Sequence, residues 1–192
     1  MFRGEMASGK SLLINLLSKN IVKYSGDIIY EDNNIKSLSR SKYNSDVSIV
    51  YQESKRPYFK TVYQYIYQYV NQKNDTIKSK KFAENIIKNM NLKSIVSQKV
   101  RSLTPCQFRW VDLAAKIGSN PKVLFIDELE QHISKDNLIF LSKLLYRKCN
   151  YDGVTLVCTS QNPDLFKNLS SVVITLKHGR ISSLRSRGRK RN

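Results

Sequence analysis

Eight consecutive residues near the start of the chain follow the pattern G-x-x-x-x-G-K-S/T: Gly4, Glu5, Met6, Ala7, Ser8, Gly9, Lys10 and Ser11. Small residues in such a loop allow consecutive backbone N–H groups to curl around the phosphates of a nucleotide. Lys10 would meet the β- and γ-phosphates, Ser11 would ligate Mg²⁺, and the N-terminal end of the following helix would face the same anion. Taken alone, the pattern also fits a glycine- and serine-rich turn before an amphipathic helix.

Two carboxylates follow the apolar run of residues 123–126. A continuous apolar run of this length is typical of a strand that is buried on both faces. Ligands of open parallel α/β sheets bind at the carboxyl ends of the strands, where Asp127 and Glu128 would lie. We therefore predict that Asp127 holds Mg²⁺, directly or through water, and that Glu128 orients or deprotonates an attacking water. In the alternative interpretation, the pair caps a helix that begins near Ser134.

These residues require a sheet and helices that position them. The apolar residues behind the loop predict a helix that begins at Lys10 and packs on a sheet. Strands are predicted over residues 26–32, with a turn at Asn33 and Asn34, and over residues 47–51, just before Gln52. Further strands are predicted at 154–159 and 172–176, and the second continues through a turn at His178–Gly179 into a hairpin. Strands that alternate with helices after a phosphate loop predict an α/β P-loop NTPase with a mostly parallel sheet flanked by helices.

A helical segment is inserted in the middle of this pattern. Apolar residues at three-to-four spacing within residues 57–100 predict two amphipathic helices, joined by the polar stretch 71–80. Tyrosines at positions 58, 63, 65, 67 and 69 could stack on nucleic-acid bases, but a stripe that is half core and half a face for another protein is favoured. Thr104 is predicted to cap a third helix, with Pro105 at its first position and its end at Gly118.

The chain is strongly basic, with 33 Lys and Arg against 15 Asp and Glu and a net charge of +18. This charge suggests nucleic acid or an anionic membrane as a partner. Most of the lysines, however, are spread along the chain, which favours an ordinary solvent-exposed surface over one binding patch. Residues 185–192 are the exception, with five positive charges, and we predict a disordered tail that contacts anionic lipid. Three widely separated cysteines and the lack of a long apolar run indicate a soluble or peripheral protein of a reducing compartment.

The order and spacing of these features resemble the ATP-binding cassette (ABC) ATPase family over nearly the whole chain. Gly4–Ser11 resembles its Walker A loop, and Ser25–Ile28 resembles the S-G-x-I start of a strand. Gln52 matches the Q-loop glutamine, and Val123–Glu128 matches Walker B with its catalytic glutamate. The resemblance implies one ATPase domain over residues 1–184, with a helical subdomain at about 53–117, and Mg²⁺ held by Ser11, Gln52 and Asp127.

The resemblance also implies a function. Family members bind and hydrolyse ATP with Mg²⁺, dimerise head to tail, and drive an integral membrane permease that docks near the Q-loop and the helical subdomain. We therefore expect the ATPase subunit of a membrane transporter, on the cytoplasmic face of the cell membrane. Two alternatives stay open: the ATPase of a non-transporting membrane complex of the cell-division type, and a decayed ATPase fold that binds nucleic acid or anionic lipid without turnover. No specific nucleic-acid partner is expected.

Three departures from the family pattern bear on turnover. The chain starts at the loop, so we expect the N-terminal antiparallel β-subdomain to be largely missing, together with the preceding strands and the adenine-stacking aromatic residue. The signature L-S-G-G-Q reads Leu103–Gln107 here, and Pro105 has no N–H to donate, so only Thr104 and Gln107 could serve. Gln161 aligns with the H-loop histidine and can donate a hydrogen bond without taking up a proton, and the D-loop region 129–134 lacks its aspartate.

These losses are uneven along the chain. Lys10, Ser11, Asp127 and Glu128, which would act on the chain's own nucleotide, are intact, whereas the signature, which would act on the partner's nucleotide, is altered. This pattern favours a heterodimer, in which a partner supplies an intact signature, over a homodimer. The competing explanation is a copy that decays under relaxed selection.

Overall fold

A mostly parallel sheet runs through the structure, a computed structural model that describes residues 1–71 and 76–186. Within those ranges the sheet has six strands, in the order β4-β5-β6-β1-β7-β8, and β7 and β8 form an antiparallel hairpin. The strands are β1 (Phe2–Arg3), β4 (Val47–Val50), β5 (Val123–Ile126), β6 (Thr155–Ser160), β7 (Val172–Lys177) and β8 (Arg180–Ser186). A small antiparallel pair, β2 (Ile29–Tyr30) and β3 (Asn33–Asn34), lies apart from the sheet. The predicted α/β fold class is confirmed.

Six α-helices lie in the described ranges: α1 (Lys10–Leu17), α2 (Arg40–Asp46), α3 (Val62–Val70), α4 (Thr76–Asn89), α5 (Pro105–Gly118) and α6 (Lys135–Tyr151). The helix predicted to begin at Lys10 and the capping of α5 by Thr104, with Pro105 in its first turn, are both observed. The sequence did not predict α2, because Tyr43 is its one buried residue and no apolar periodicity marks it. Among the described residues, no helix is long and apolar enough to cross a membrane.

The strand before the phosphate loop corrects one prediction. We expected the chain to lack the strands that precede this loop, but Phe2 and Arg3 form β1 in the interior of the sheet. Phe2 is in register with Thr159 of β6 and Ile174 of β7, and both pairings are parallel. The loop therefore leaves the sheet from an interior strand and enters α1 directly.

Several boundaries differ from the predicted ones. The turn expected at Asn33 and Asn34 lies two residues earlier, because Glu31 and Asp32 take the left-handed backbone conformation (φ 46° and 61°) and the two asparagines pair with β2. Helix α4 begins at Thr76, inside the stretch predicted to join two helices, whereas α5 ends at Gly118 as predicted. Residues 72–75 of that joining stretch lie outside the described part. Arg185 and Ser186, assigned to the tail, end strand β8, and residues 187–192 are also outside the described part.

Two apolar clusters hold the helices on the sheet. The larger cluster joins α3, α4 and α5 to β4, β5 and α6, and α5 contributes most of its length, from Phe108 to Ile117. The smaller cluster packs Ile14 of α1 with Tyr43 of α2 and Phe125 of β5. Tyr65 of the tyrosine stripe is buried, while the rings of Tyr63 and Tyr67 stack on each other at 5.9 Å with an angle of 10° between their planes. The stripe is thus partly core and partly surface.

Candidate functional site

The loop from Gly4 to Gly9 joins β1 to α1 and turns tightly against the β7–β8 hairpin. Gly4 and Gly9 take φ values of 156° and 99°, conformations that residues with a Cβ rarely adopt. The N–H of Gly179, in the hairpin turn, donates to the Ser8 carbonyl at 3.1 Å. Glycine at these two positions therefore allows the backbone of the loop to turn sharply before α1 begins at Lys10.

Lys10 is buried, with 5% of its surface exposed, and its ammonium lies across the loop. Its Nζ donates to the carbonyl oxygens of Gly4 and Glu5, each at 2.8 Å. The Ser8 hydroxyl is buried and has no hydrogen-bond partner in the described part of the chain. A buried cation and an orphaned hydroxyl at a helix N-terminus are suited to an anion, so these residues fit the phosphates of a nucleotide.

Replacing Gly4 with alanine should weaken ATP binding by about 10-fold, because the loop has no room for a side chain there. A Cβ on Gly4 would lie 2.4 Å from the Leu176 carbonyl oxygen and 2.5 Å from Ser8 Oγ. Titration with a fluorescent ATP analogue measures the change. Gly153→Ala is the matched control, since Gly153 also has a positive φ (71°) but no atom within 4 Å of the added Cβ. ATP binding by Gly4→Ala at the affinity of the unchanged chain would contradict this prediction.

Asp127 and Glu128 lie at the carboxyl end of β5, as the sequence predicted. Asp127 is 4% exposed, and its Oδ1 accepts a hydrogen bond of 2.6 Å from the Thr159 hydroxyl. Thr159 Oγ1 in turn accepts from the backbone N–H of Glu128 at 2.7 Å. The alternative in which the two acidic residues cap α6 is wrong, because the Ser134 side chain is the N-cap of that helix.

The Glu128 carboxylate lies between two glutamine amides. Gln161 Nε2 donates to Oε1 at 2.9 Å, and Gln52 Nε2 donates to Oε2 at 3.3 Å. The backbone of Glu128 is left-handed, with φ 50°, which is uncommon for a residue other than glycine. The structure therefore brings together Gln52, Glu128 and Gln161, which are far apart in the sequence.

Three functional candidates were missed in the sequence: Thr159, Glu130 and Arg109. Glu130 Oε1 accepts from Ser160 Oγ (3.0 Å), Gln161 N (2.7 Å) and Asn162 N (3.1 Å), and so shapes the turn that carries Gln161. No local pattern marks Thr159 or Glu130, because each acts through contacts between strand ends.

Arg109 lies on α5 and is 4% exposed. Its guanidinium donates to the carbonyl oxygens of Tyr51, Asp127 (2.7 Å) and Glu128 (2.9 Å). Burial lowers the pKa of this guanidinium, and nearby carboxylates, Asp112 and Asp127 foremost, act in the opposite direction. The one signal in the sequence was a pair of charged residues, Arg109 and Asp112, within the mostly apolar middle of a helix.

The signature-like segment forms the N-terminal end of α5. Thr104 and Gln107 make a capping box: the Thr104 side chain accepts from Gln107 N at 3.2 Å, and Gln107 Oε1 accepts from Thr104 N at 3.0 Å. The two residues predicted to serve a partner's nucleotide are therefore bonded to each other. Cys106 between them is exposed, and its thiol is free, as are those of Cys149 and Cys158.

Oxygen ligands suited to Mg²⁺ come from Asp127 and Ser11. In the part of the chain that the structure describes, no three His, Cys, Asp or Glu side chains cluster as a metal site. Mg²⁺ in nucleotide sites needs few protein ligands, since phosphate oxygens and water complete its shell. One carboxylate and one hydroxyl therefore fit Mg²⁺ bound together with a nucleotide.

One protein family, several characterised proteins and several solved structures are similar to this chain. A family model described as "ABC transporter" matches residues 1–131. The cell division ATP-binding protein FtsE of Streptococcus pneumoniae is 25% identical over 96% of this chain and 82% of its own length. The energy-coupling factor transporter ATP-binding protein EcfA3 of Oenococcus oeni is 27% identical over 95% of this chain and 66% of its own length. A dimeric structure of the ATP-binding cassette MJ0796 with ADP and phosphate superposes with a TM-score of 0.85 at 18% identity, over 97% of this chain and 84% of that one.

Proposed function

This chain belongs to the ABC transporter family as an ATP-binding subunit, and from that premise we propose that it binds ATP with Mg²⁺ on Gly4–Ser11 and hydrolyses it for a membrane permease. The observation that carries the proposal is the convergence of Gln52 and Gln161 on the two oxygens of Glu128, beside the buried Asp127. We further propose residues 53–117 as the helical subdomain within one domain, because α3, α4 and α5 share one apolar cluster.

The chemistry assigned to the chain's own residues is transfer of the γ-phosphoryl group to water. Lys10 and the backbone N–H groups of the loop bind the phosphates and offset their charge as the bond to the ADP oxygen breaks. Glu128 accepts the proton of the attacking water, and the Gln52 and Gln161 amides orient its carboxylate. Bound Mg²⁺, which Ser11, Gln52 and Asp127 would hold, would neutralise negative charge on the phosphates.

Two nucleotide-binding subunits are needed in this proposal. We infer a head-to-tail heterodimer, because Pro105 removes one backbone donor of the signature-like segment and the capping box occupies Thr104 and Gln107. The partner's intact signature would complete the site built on Lys10. The permease would dock beside residues 52–100, at the cytoplasmic face of the membrane. Anionic lipid contact by the basic residues beyond Ser186 is part of the proposal and lies outside the described residues.

Removing the Lys10 ammonium should weaken ATP binding by about 10- to 100-fold, since charge-assisted hydrogen bonds to phosphate contribute roughly 1.5–3 kcal/mol. Isothermal titration of Lys10→Ala with ATP and Mg²⁺ measures the effect. Lys88→Ala, on the exposed last turn of α4, is the matched control because it lowers the net charge by the same amount. Equal affinities of the Lys10 and Lys88 variants would count against the proposed phosphate site.

A second candidate function rests on the net charge of +18: binding of nucleic acid or anionic lipid without turnover. This function predicts that the affinity for nucleic acid or anionic lipid falls steeply with added salt, and that Lys10→Ala leaves this salt dependence unchanged.

The cell-division alternative is motivated by the similarity to FtsE. The identity of the membrane protein that co-purifies with this chain distinguishes that alternative from a transporter.

A further inference from the structure

We propose that Arg109 is a positioning residue that sets the placement of Gln52 relative to Glu128, an inference that rests on the proposed function. Its guanidinium contacts both segments that meet at the proposed catalytic site. One amino group donates to the carbonyl of Tyr51, the residue before Gln52, and the other donates to the carbonyls of Asp127 and Glu128. One side chain thus links the Q-loop to the end of β5.

The carbonyl contact at Glu128 matters because of the backbone there. A left-handed conformation at a residue other than glycine is strained and persists only where the surroundings enforce it. Glu128 has φ 50°, and its N–H and carbonyl are fixed by Thr159 Oγ1 and Arg109 Nη2. Arg109 therefore helps to hold the backbone conformation that directs the Glu128 carboxylate toward the two glutamines.

A second contact on the same helix holds the other side of Gln52. Asp112, one turn after Arg109, is buried and accepts from Ser54 Oγ and from the Tyr65 hydroxyl, each at 2.7 Å. Burial and Asp112 raise the pKa of the Tyr65 hydroxyl, so this hydroxyl stays protonated as the donor. Helix α5 therefore holds the chain at Tyr51 and at Ser54, and Gln52 lies between the two attachment points.

Only an arginine can make this set of contacts. The planar guanidinium presents five N–H donors in a fixed fork, whereas a lysine ammonium is a single point of donation. Lysine at position 109 would keep the charge but leave at least one of the three carbonyls poorly paired. The Gln52 segment and the β5 end would then no longer be fixed to the same group.

The test uses Arg109→Lys in the full chain, with Arg56→Lys as the matched control. Arg56 is on the same segment as Gln52 but donates to the Leu103 carbonyl instead of the β5 end. We expect Arg109→Lys to lower kcat by about 10- to 100-fold with KM within about 2-fold, because misplacement of reacting groups by about 1 Å can cost that much. Arg56→Lys should keep kcat within about 2-fold of the unchanged chain.

A second readout does not depend on turnover. In ¹H–¹⁵N spectra, the side-chain amide signals of Gln52 should shift in Arg109→Lys, while the remote amide of Asn150, which donates to the Tyr146 carbonyl, should not. Ser54→Ala, at a partly exposed residue, removes the hydrogen bond to Asp112 that holds the other side of Gln52. The side-chain amide signals of Gln52 should therefore also shift in this variant, which tests the proposal if Arg109→Lys does not fold. Unshifted Gln52 signals in the folded variants overturn the proposal. Shifted signals in a chain that does not bind ATP with Mg²⁺ would refute the proposed function and support the role of Arg109.

Discussion

Glu128→Gln is expected to lower ATP turnover by about 10³-fold while ATP affinity stays within about 2-fold, since loss of a general base typically costs 10²–10⁴ in rate. Glutamine has the size of glutamate but cannot accept the proton of the attacking water. Its amide also offers one acceptor oxygen, whereas the carboxylate accepts from both Gln52 and Gln161 at 3.3 and 2.9 Å. In the variant, the side-chain N–H group of Gln52 or of Gln161 would then face the new amide N–H group instead of an acceptor oxygen.

Steady-state phosphate release and ATP binding, measured on the same preparation, separate the two effects. Glu84→Gln, on the exposed face of α4, is the control because it removes the same charge away from the site. Phosphate release by Glu128→Gln at more than about a tenth of the rate of the unchanged chain would assign the general base to another group. Loss of ATP binding would instead indicate that Glu128 supports the nucleotide site itself.

The parts of the site that could be predicted are those encoded by contiguous residues. Gly4–Ser11 and the carboxylates after Ile126 each combine their own chemistry with the element that positions them, so local sequence sufficed. Arg109 was missed because its three acceptors are main-chain carbonyls, which have no sequence signature. They also lie far along the chain, 58 residues away at Tyr51 and 18 at Asp127.

The missed elements of the fold have similar causes. Strand β1 is too short to show an alternating pattern, and it forms because β6 and β7 offer hydrogen bonds on both sides. The turn at Glu31 and Asp32 needs two positive φ values, and glutamate gives no indication of one. In both cases pairing between strands determines a conformation that local propensity alone does not favour.

The altered signature leads to a prediction about pairing, which the capping of α5 makes specific. A helix N-terminus offers its first backbone N–H groups to an anion, which in the proposed dimer would be the γ-phosphate bound by a partner subunit. Pro105 has no N–H, and the N–H of Gln107 is bonded to Thr104 Oγ1. The N–H of Cys106 is the donor that neither the proline nor the capping box removes. A pair of identical chains therefore keeps one of these backbone donors, the Cys106 N–H, at each of its two nucleotide sites.

The chain alone should accordingly hydrolyse ATP poorly, and Pro105→Gly with Cys106→Gly should raise the turnover of the homodimer by about 10²-fold. The estimate follows from the loss of about 10²–10³ in kcat that results when one preorganised hydrogen-bond donor to a developing anion is removed. Glycine restores the missing N–H and opens the approach to the phosphate, while the Thr104–Gln107 capping box can remain. Phosphate release at saturating ATP and at chain concentrations high enough to dimerise measures the gain.

Subunit mixing shows whether the gain acts on the partner's nucleotide. A chain that carries both glycines together with Glu128→Gln cannot hydrolyse its own ATP, but its signature can complete the site of an unchanged chain. Mixed with the unchanged chain, it should produce turnover that neither has alone. That result requires the unchanged chain to contribute Lys10, Asp127 and Glu128 while it receives donors from the other subunit, as the heterodimer proposal states. Robust hydrolysis by the unchanged chain alone, or no gain in turnover on mixing, would show that the nucleotide sites of the unchanged chain do not depend on the signature of a partner.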